Sequence, residues 1–283
     1  MTSALNWFKN SHIPLRNIWR KTMTEQTGGV SREIRGHLYL LGLNRSSKRN
    51  AFDSHMIHDL SLALTEYEDN PELRCAVIFA HGEHFTAGLD LVELQPKMSS
   101  GIFPSDPNLI NPWGTSGRPR KKPVVVAVQG YCYTAGIELM LNADIAIAHD
   151  KTSFAQLEVL RGILPFGGAT SRFIKAAGWN AAMRYLLTGD SFDAPTALEM
   201  NLIYEITQEN PLDRAIELAE RIAQAAPLAV QATIAAAKDA AQLGEIQAFE
   251  NLNQHLMPLL CTEDVQEGVM AMIGRRAAQF RGK

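Results

Sequence analysis

Val124-Val125-Val126-Ala127-Val128-Gln129-Gly130-Tyr131-Cys132-Tyr133-Thr134-Ala135-Gly136-Ile137-Glu138 decides the fold. Five consecutive apolar residues, four of them β-branched, read as a buried strand. A glycine turn follows, and the chain then enters a helix whose first turn carries Glu138. Downstream, Ala143-Asp144-Ile145-Ala146-Ile147-Ala148 reads as a second buried strand, leading to Phe154-Ala155-Gln156-Leu157-Glu158. Strands of this kind, separated by short turns and helices, predict an α/β class. They also bring Glu138 and Glu158 to one end of a sheet. Two carboxyl groups facing one pocket can divide acid and base work, because each perturbs the proton affinity of the other. Read locally, Glu138 is equally a first-turn helix glutamate favoured by the macrodipole, and Glu158 a solvated surface residue.

Working outward, Ile34–Leu43 predicts a strand and Asn44–Asn50 a polar, basic loop. Asp53 or Ser54 caps a helix with apolar spacing Met56, Leu60, Ala63, Leu64 and Tyr67, stopped by Asn70-Pro71. Cys75–Ala80 predicts a short buried strand. The turn Phe85-Thr86-Ala87-Gly88-Leu89-Asp90 then opens another helix near Asp90. Both this turn and Thr134-Ala135-Gly136 would leave backbone N–H groups pointing outward at a helix start. Facing one another, the two turns could donate to a single oxygen. Residues Gln95–Pro123 hold prolines, glycines and serines without periodicity and predict a long surface loop. Helices are expected over Ala169–Ala177, Pro211–Ala225, Pro227–Ala240, Ile246–Leu260 and Asp264–Gln279.

The chain has 283 residues, 46% hydrophobic and 20% charged, in keeping with a globular protein that buries a sizeable core. A net charge of -3 argues against an electrostatic nucleic-acid binder. Cys75, Cys132 and Cys261 lack metal-ligand spacing and read as reduced thiols of a cytoplasmic protein. No apolar run reaches the roughly 20 residues of a membrane span. Residues 1–22 carry Lys9, Arg16, Arg20 and Lys21 with no acid. They read as an ordinary extension, a transit peptide or a basic amphipathic helix. The expected organisation is an N-terminal extension over 1–29, a core with the active site over 30–205, and a helical region over 206–283.

Phe85–Leu91, Lys122–Tyr131, Gly136–Leu139, Ala143–Ile145, Phe154–Glu158, Gly162–Ala169 and Leu187–Asp190, in this order and spacing, resemble the crotonase (enoyl-CoA hydratase/isomerase) superfamily. The resemblance runs from about Ser31 to the C-terminus. It implies a spiral of strand–strand–helix units, with C-terminal helices that assemble a homotrimer or a hexamer of two trimers. It implies an acyl-CoA thioester as substrate, with coenzyme A part of the substrate and no separate cofactor or metal. The backbone N–H groups of Leu89 and Ala135 would form the oxyanion hole, and Glu138 and Glu158 would be the catalytic acids and bases. Lys48, Arg49, Ala51, Ala87, Gly88, Asp90, Gly136 and Phe166 would line the coenzyme A and acyl sites. Where the family has a run of glycines, this chain has Thr134-Ala135-Gly136. With both hydratase acids present, the implied reaction is hydration of a 2-enoyl-CoA. Alternatives are an enoyl-CoA isomerase, another acyl-CoA-processing member such as a hydrolase or decarboxylase, and a non-catalytic acyl-CoA or RNA-binding scaffold. A dienoyl-CoA isomerase would need an acid at position 166, which is Phe166. His81 and His84 have no third metal ligand nearby and read as loop histidines.

Overall fold

The computed structural model describes residues 28–104 and 106–283. Nearly all of the expected N-terminal extension therefore lies outside the described residues. Strands β1 (Gly29–Arg35) and β2 (Leu38–Asn44) form an antiparallel hairpin, and β2 pairs in parallel with β3 (Cys75–Ala80). The sheet continues in parallel through β4 (Val124–Val128), β6 (Ile145–His149) and β9 (Glu205–Thr207). A second sheet contains β5 (Tyr131–Tyr133), β7 (Ser153–Ala155) and β8 (Ser191–Asp193). The chain alternates between the sheets: β4 leads to β5 and β6 to β7. The segment after β3 joins the second sheet through a parallel bridge between Thr86 and Cys132. This alternation is the turn of a crotonase-like spiral.

The hairpin corrects the single strand expected over Ile34–Leu43. Gly36 adopts φ 59° and turns the chain, so Ile34 pairs with Tyr39 instead of preceding it along one strand.

The large sheet is covered on both faces, which explains the uninterrupted apolar run of β4. Val124, Val126 and Val128 pack into one core with Met56, Leu60, Leu64 and Tyr67 of helix α1 (Ser54–Asp69). Val125 and Ala127 face the other way, against Ala215, Ala219 and Ala223 of the helix Pro211–Ala223. Each fully buried valine or leucine contributes about 1.5–3 kcal/mol relative to exposure. Asp53 caps α1 by accepting from the Met56 N–H at 2.8 Å.

The remaining helices are α2 (Leu91–Leu94), α3 (Ala135–Asn142), α4 (Ala169–Ala177), α5 (Trp179–Thr188) and α6 (Ala194–Glu199). They are followed by α7 (Pro211–Ala223), α8 (Pro227–Leu243), α9 (Glu245–Leu260) and α10 (Glu263–Ile273). The final helix ends at Ile273, short of the expected Gln279. From Gly274 the chain folds back, and Arg281 and Gly282 donate their N–H groups to the buried Asp264 carboxylate at 2.7 and 2.9 Å. The segment Gln95–Pro123 is not a surface loop throughout. Ile110, Asn111 and Trp113 are buried within it. Among the described residues no helix is long and apolar enough to cross a membrane.

Candidate active site

Two tight turns, one after β3 and one after β5, present backbone donors side by side. The first is fastened to β5: the Thr86 N–H donates to the Tyr131 carbonyl at 2.9 Å, and the Tyr133 N–H to the Thr86 carbonyl at 3.1 Å. Gly88 takes φ 97°. Its N–H donates to Thr86 Oγ1 at 3.0 Å and its carbonyl accepts from the Phe52 N–H at 2.8 Å. The Asp90 N–H returns to the Phe52 carbonyl at 2.8 Å. Every neighbouring N–H is thus engaged, whereas that of Leu89 has no acceptor among the described residues. The second turn opens α3, where the Ala135 N–H is likewise without an acceptor, as expected for the first turn of a helix. The Trp113 indole Nε1–H donates to the Ala135 carbonyl at 2.8 Å, one peptide further along the first turn of α3.

Glu138 lies on the first turn of α3 and is only 3% exposed. Its Oε1 accepts from the Gly167 N–H at 2.8 Å and the Ala169 N–H at 3.1 Å. Glu158 begins a short 3-10 turn after β7 and is 5% exposed. Glu158 is therefore not the solvated surface group of the local reading, while Glu138 does sit on a first helical turn, but buried. The fully buried Gln156 amide lies against Glu158, and with its nitrogen turned toward the carboxyl it donates to both oxygens at 3.0 Å.

Burial raises the proton affinity of both acids, by unequal amounts. At Glu138 the rise is opposed by the Ala169 and Gly167 N–H groups and by the nearby Arg172 guanidinium. Glu158 is pushed up to about 7, chiefly by burial, with the charge of Glu138 adding to the rise. The two carboxyls therefore sense one another, and the anion of Glu138 is the better supported. A carboxyl near 7 beside one whose anion is favoured by two N–H groups and a guanidinium is the division that general acid–base chemistry needs.

The other predicted positions divide. Gly136 is buried on α3, its Cα packed against the Thr86 methyl. Ala87 donates its N–H to the Arg49 carbonyl at 2.9 Å, and Ala51 its own to the Lys48 carbonyl at 3.1 Å, tying the basic loop to the first turn. Lys48 and Arg49 are exposed, with the Arg49 guanidinium 5.8 Å from the centre of the Tyr131 ring. Asp90 directs its carboxylate away to Arg45 at 2.9 Å, in an ion-pair cluster with Asp53. The Phe166 ring belongs to an aromatic wall: it lies 5.8 Å from Phe103, which lies 5.0 Å from Trp113. His81 pairs with Ser31 Oγ at 2.7 Å and His84 stacks on Tyr131. No group of three metal-ligating side chains exists among the described residues.

Sequence reading missed Trp113, Gln156 and Arg172 as site residues and took Gly167 only as part of the Gly162–Ala169 motif. Of the missed residues only Gln156, two residues before Glu158, carried a local signal. Arg172 donates to the carbonyls of Trp113 at 2.8 Å, Gly167 at 3.2 Å and Gly114 at 3.3 Å, joining the buried end of the loop to the turn beneath Glu138.

Comparison with known proteins agrees with this architecture. The chain is 30% identical over 255 residues to the enoyl-CoA hydratase EchA19 of Mycobacterium tuberculosis, covering 89% of this chain and 96% of that protein. It is 30% identical over 256 residues to the 2,3-dehydroadipyl-CoA hydratase of Escherichia coli, covering 90% and 98%. A crystal structure of a probable enoyl-CoA hydratase/isomerase from Mycobacterium abscessus superposes with a TM-score of 0.87 at 45% identity. It covers 91% of this chain and 100% of that one. The family profile described as enoyl-CoA hydratase/isomerase matches residues 33–283, which takes in both turns and both buried glutamates. By fold and by sequence, the chain belongs to the enoyl-CoA hydratase/isomerase family.

Proposed function

We propose that the protein is an enoyl-CoA hydratase, adding water across the 2,3 double bond of a 2-enoyl-CoA to give a 3-hydroxyacyl-CoA. The observation that carries this reading is the pair of buried carboxyls with unequal proton affinities next to two unengaged backbone donors. Relatives named as hydratases over nearly their whole length support it.

In this reading the thioester carbonyl accepts hydrogen bonds from the Leu89 and Ala135 N–H groups. A water sits between the carboxyls. Glu138, as the anion, takes one of its protons while the oxygen bonds to C3. The electron pair of the double bond moves onto the carbonyl oxygen as an enolate, which the two donors and the N-terminus of α3 stabilise. Glu158, protonated, then delivers a proton to C2. The sum is one water added, with the glutamates restored by proton exchange. Removing one such backbone donor costs about 100- to 1000-fold in rate. A positioned proton-transfer group contributes about 100- to 10,000-fold. Lys48 and Arg49 are placed by this reading at the phosphates of coenzyme A, and no further cofactor is called for.

Assembly as a trimer is part of the proposal. α8 buries no residue completely, and Ile246, Phe249, Met272 and Ile273 on α9 and α10 are each more than 60% exposed. Such an apolar surface calls for partner copies.

The test is loss of the conjugated-thioester absorbance when the purified protein meets crotonyl-CoA. No loss would refute hydration. Appearance of that absorbance from a 3-enoyl-CoA, without hydration of crotonyl-CoA, would instead assign an isomerase.

A further inference from the structure

The two donor turns interlock through a reciprocal pair of threonine–glycine contacts. A Cβ added to Gly88 would collide with Thr134 Oγ1, and one added to Gly136 would collide with Thr86 Cγ2. Each turn thus lodges a threonine side chain against a glycine of the other. These contacts bracket the donors: Gly88 directly precedes Leu89, and Thr134 and Gly136 flank Ala135.

The two threonines are held differently. Thr86 is fully buried, and its hydroxyl donates to the Asn50 carbonyl at 2.7 Å while accepting from the Gly88 N–H. Thr134 sits at φ 50°, ψ −115°, a conformation open to glycine and unfavourable for a β-branched residue. Its side chain makes no capping hydrogen bond. Backbone bonds fix it instead, from its N–H to the Ala155 carbonyl at 2.8 Å and from the Glu138 N–H to its carbonyl at 3.2 Å. Glycine at 134 would meet the same dihedral angles without strain. The threonine therefore pays in strain for a wedge that glycine lacks.

We propose that Thr134 is a positioning residue whose side chain, pressed against Gly88, fixes the separation and aim of the Leu89 and Ala135 N–H groups. The proposal rests on the acyl-CoA reading, in which those groups grip the thioester oxygen. Thr134 acts through the two peptides and touches no reacting atom.

Thr134→Gly removes the wedge and relaxes the backbone, and Thr134→Ser keeps an Oγ against Gly88. T134G is expected to lower kcat with crotonyl-CoA about tenfold or more, since displacements near 1 Å carry penalties up to about 100-fold. KM should stay within about threefold and the melting temperature should hold or rise. T134S should recover most of the rate. A second readout needs no turnover: the C=O stretch of butyryl-CoA labelled with ¹³C at the carbonyl. Binding to the native protein should shift it down, and binding to T134G should shift it less.

The interlock is refuted if T134G matches the native kcat and carbonyl shift. It is equally refuted if T134G and T134S both lose melting temperature and activity together, which marks a merely structural residue. A native protein that neither hydrates crotonyl-CoA nor shifts the butyryl-CoA carbonyl overturns the acyl-CoA reading itself, and the interlock with it.

Discussion

Gly167 lies in direct contact with Glu138: its N–H donates to Oε1 at 2.8 Å, and a Cβ on it would come within 2.5 Å of Oε2. The same Cβ would stand 2.9 Å from Trp113 Cδ1. The glycine is needed because backbone must approach a buried carboxylate on one side and an indole on the other. This contact holds the glutamate in one rotamer and stabilises its anion.

Gly167→Ala therefore forces the Glu138 carboxylate or the Trp113 ring to move. Expected outcomes are a stability loss of about 1–3 kcal/mol and a fall in kcat of about tenfold or more. Chemical denaturation and steady-state hydration of crotonyl-CoA read the two effects. Native-like values of both would show that the approach is looser than the contact implies.

Trp113 links the buried stretch of the 95–123 segment to the donor helix through one hydrogen bond. Trp113→Phe preserves most of the apolar packing but removes the indole bond to the Ala135 carbonyl, which keeps its helical donor, at a cost of about 1 kcal/mol. A larger loss in kcat than in the affinity for butyryl-CoA is expected, because the first turn of α3, which carries the Ala135 N–H, loses one tether while the apolar pocket survives. Calorimetric titration with butyryl-CoA beside rate measurements separates the two quantities.

How much of this was legible in the sequence follows from where each signal is stored. β4 announced itself because both sheet faces are covered, so five apolar residues in a row are required and no alternation is seen. Glu138 and Glu158 were found because each sits a few residues past a strand, a spacing the chain cannot hide. Trp113 was not found, since a proline-rich segment has no period and its burial is set by residues of α3 and α4 far along the chain. Arg172 was missed for a related reason: it serves three carbonyls from two distant turns, and a lone arginine on an amphipathic helix carries no trace of that. The hairpin at Gly36 was overlooked because β1, Gly29-Val30-Ser31-Arg32-Glu33-Ile34-Arg35, has only Val30 and Ile34 as apolar residues and announces no strand before Ile34.

The pH dependence of stability follows from Glu158. Its affinity in the folded protein lies near 7, above the ordinary 4.5, so between these values the folded state binds more protons than the unfolded chain. Stability conferred by the protonated acid is then fully present below about 4.5 and is lost as pH rises towards 7, by about 3 kcal/mol for this group. Glu158→Gln abolishes that loss. The variant should be less sensitive to pH across this window, more stable than the native protein at pH 8, and inactive in hydration. Denaturation at a series of pH values checks the sign, and a native stability that falls no more steeply between pH 4.5 and about 7 than that of E158Q would contradict it.

Arg172 makes the last test, because its charge and its geometry can be separated. It is partly buried, forms no ion pair with a carboxylate among the described residues, and gives its donors to the Trp113, Gly167 and Gly114 carbonyls. Its positive charge also lowers the proton affinity of Glu138. Arg172→Met removes both contributions, so the acidic limb of the kcat/KM profile, where the base must ionise, should move to higher pH. Arg172→Lys keeps the charge but cannot reach three carbonyls in fixed directions. The lysine variant should restore the position of the limb while leaving kcat below the native value. Profiles from pH 5 to 9 for the three proteins decide it: a limb that stays in place in R172M means that the guanidinium serves the turn alone and that the Gly167 and Ala169 N–H groups suffice to hold Glu138 ionised.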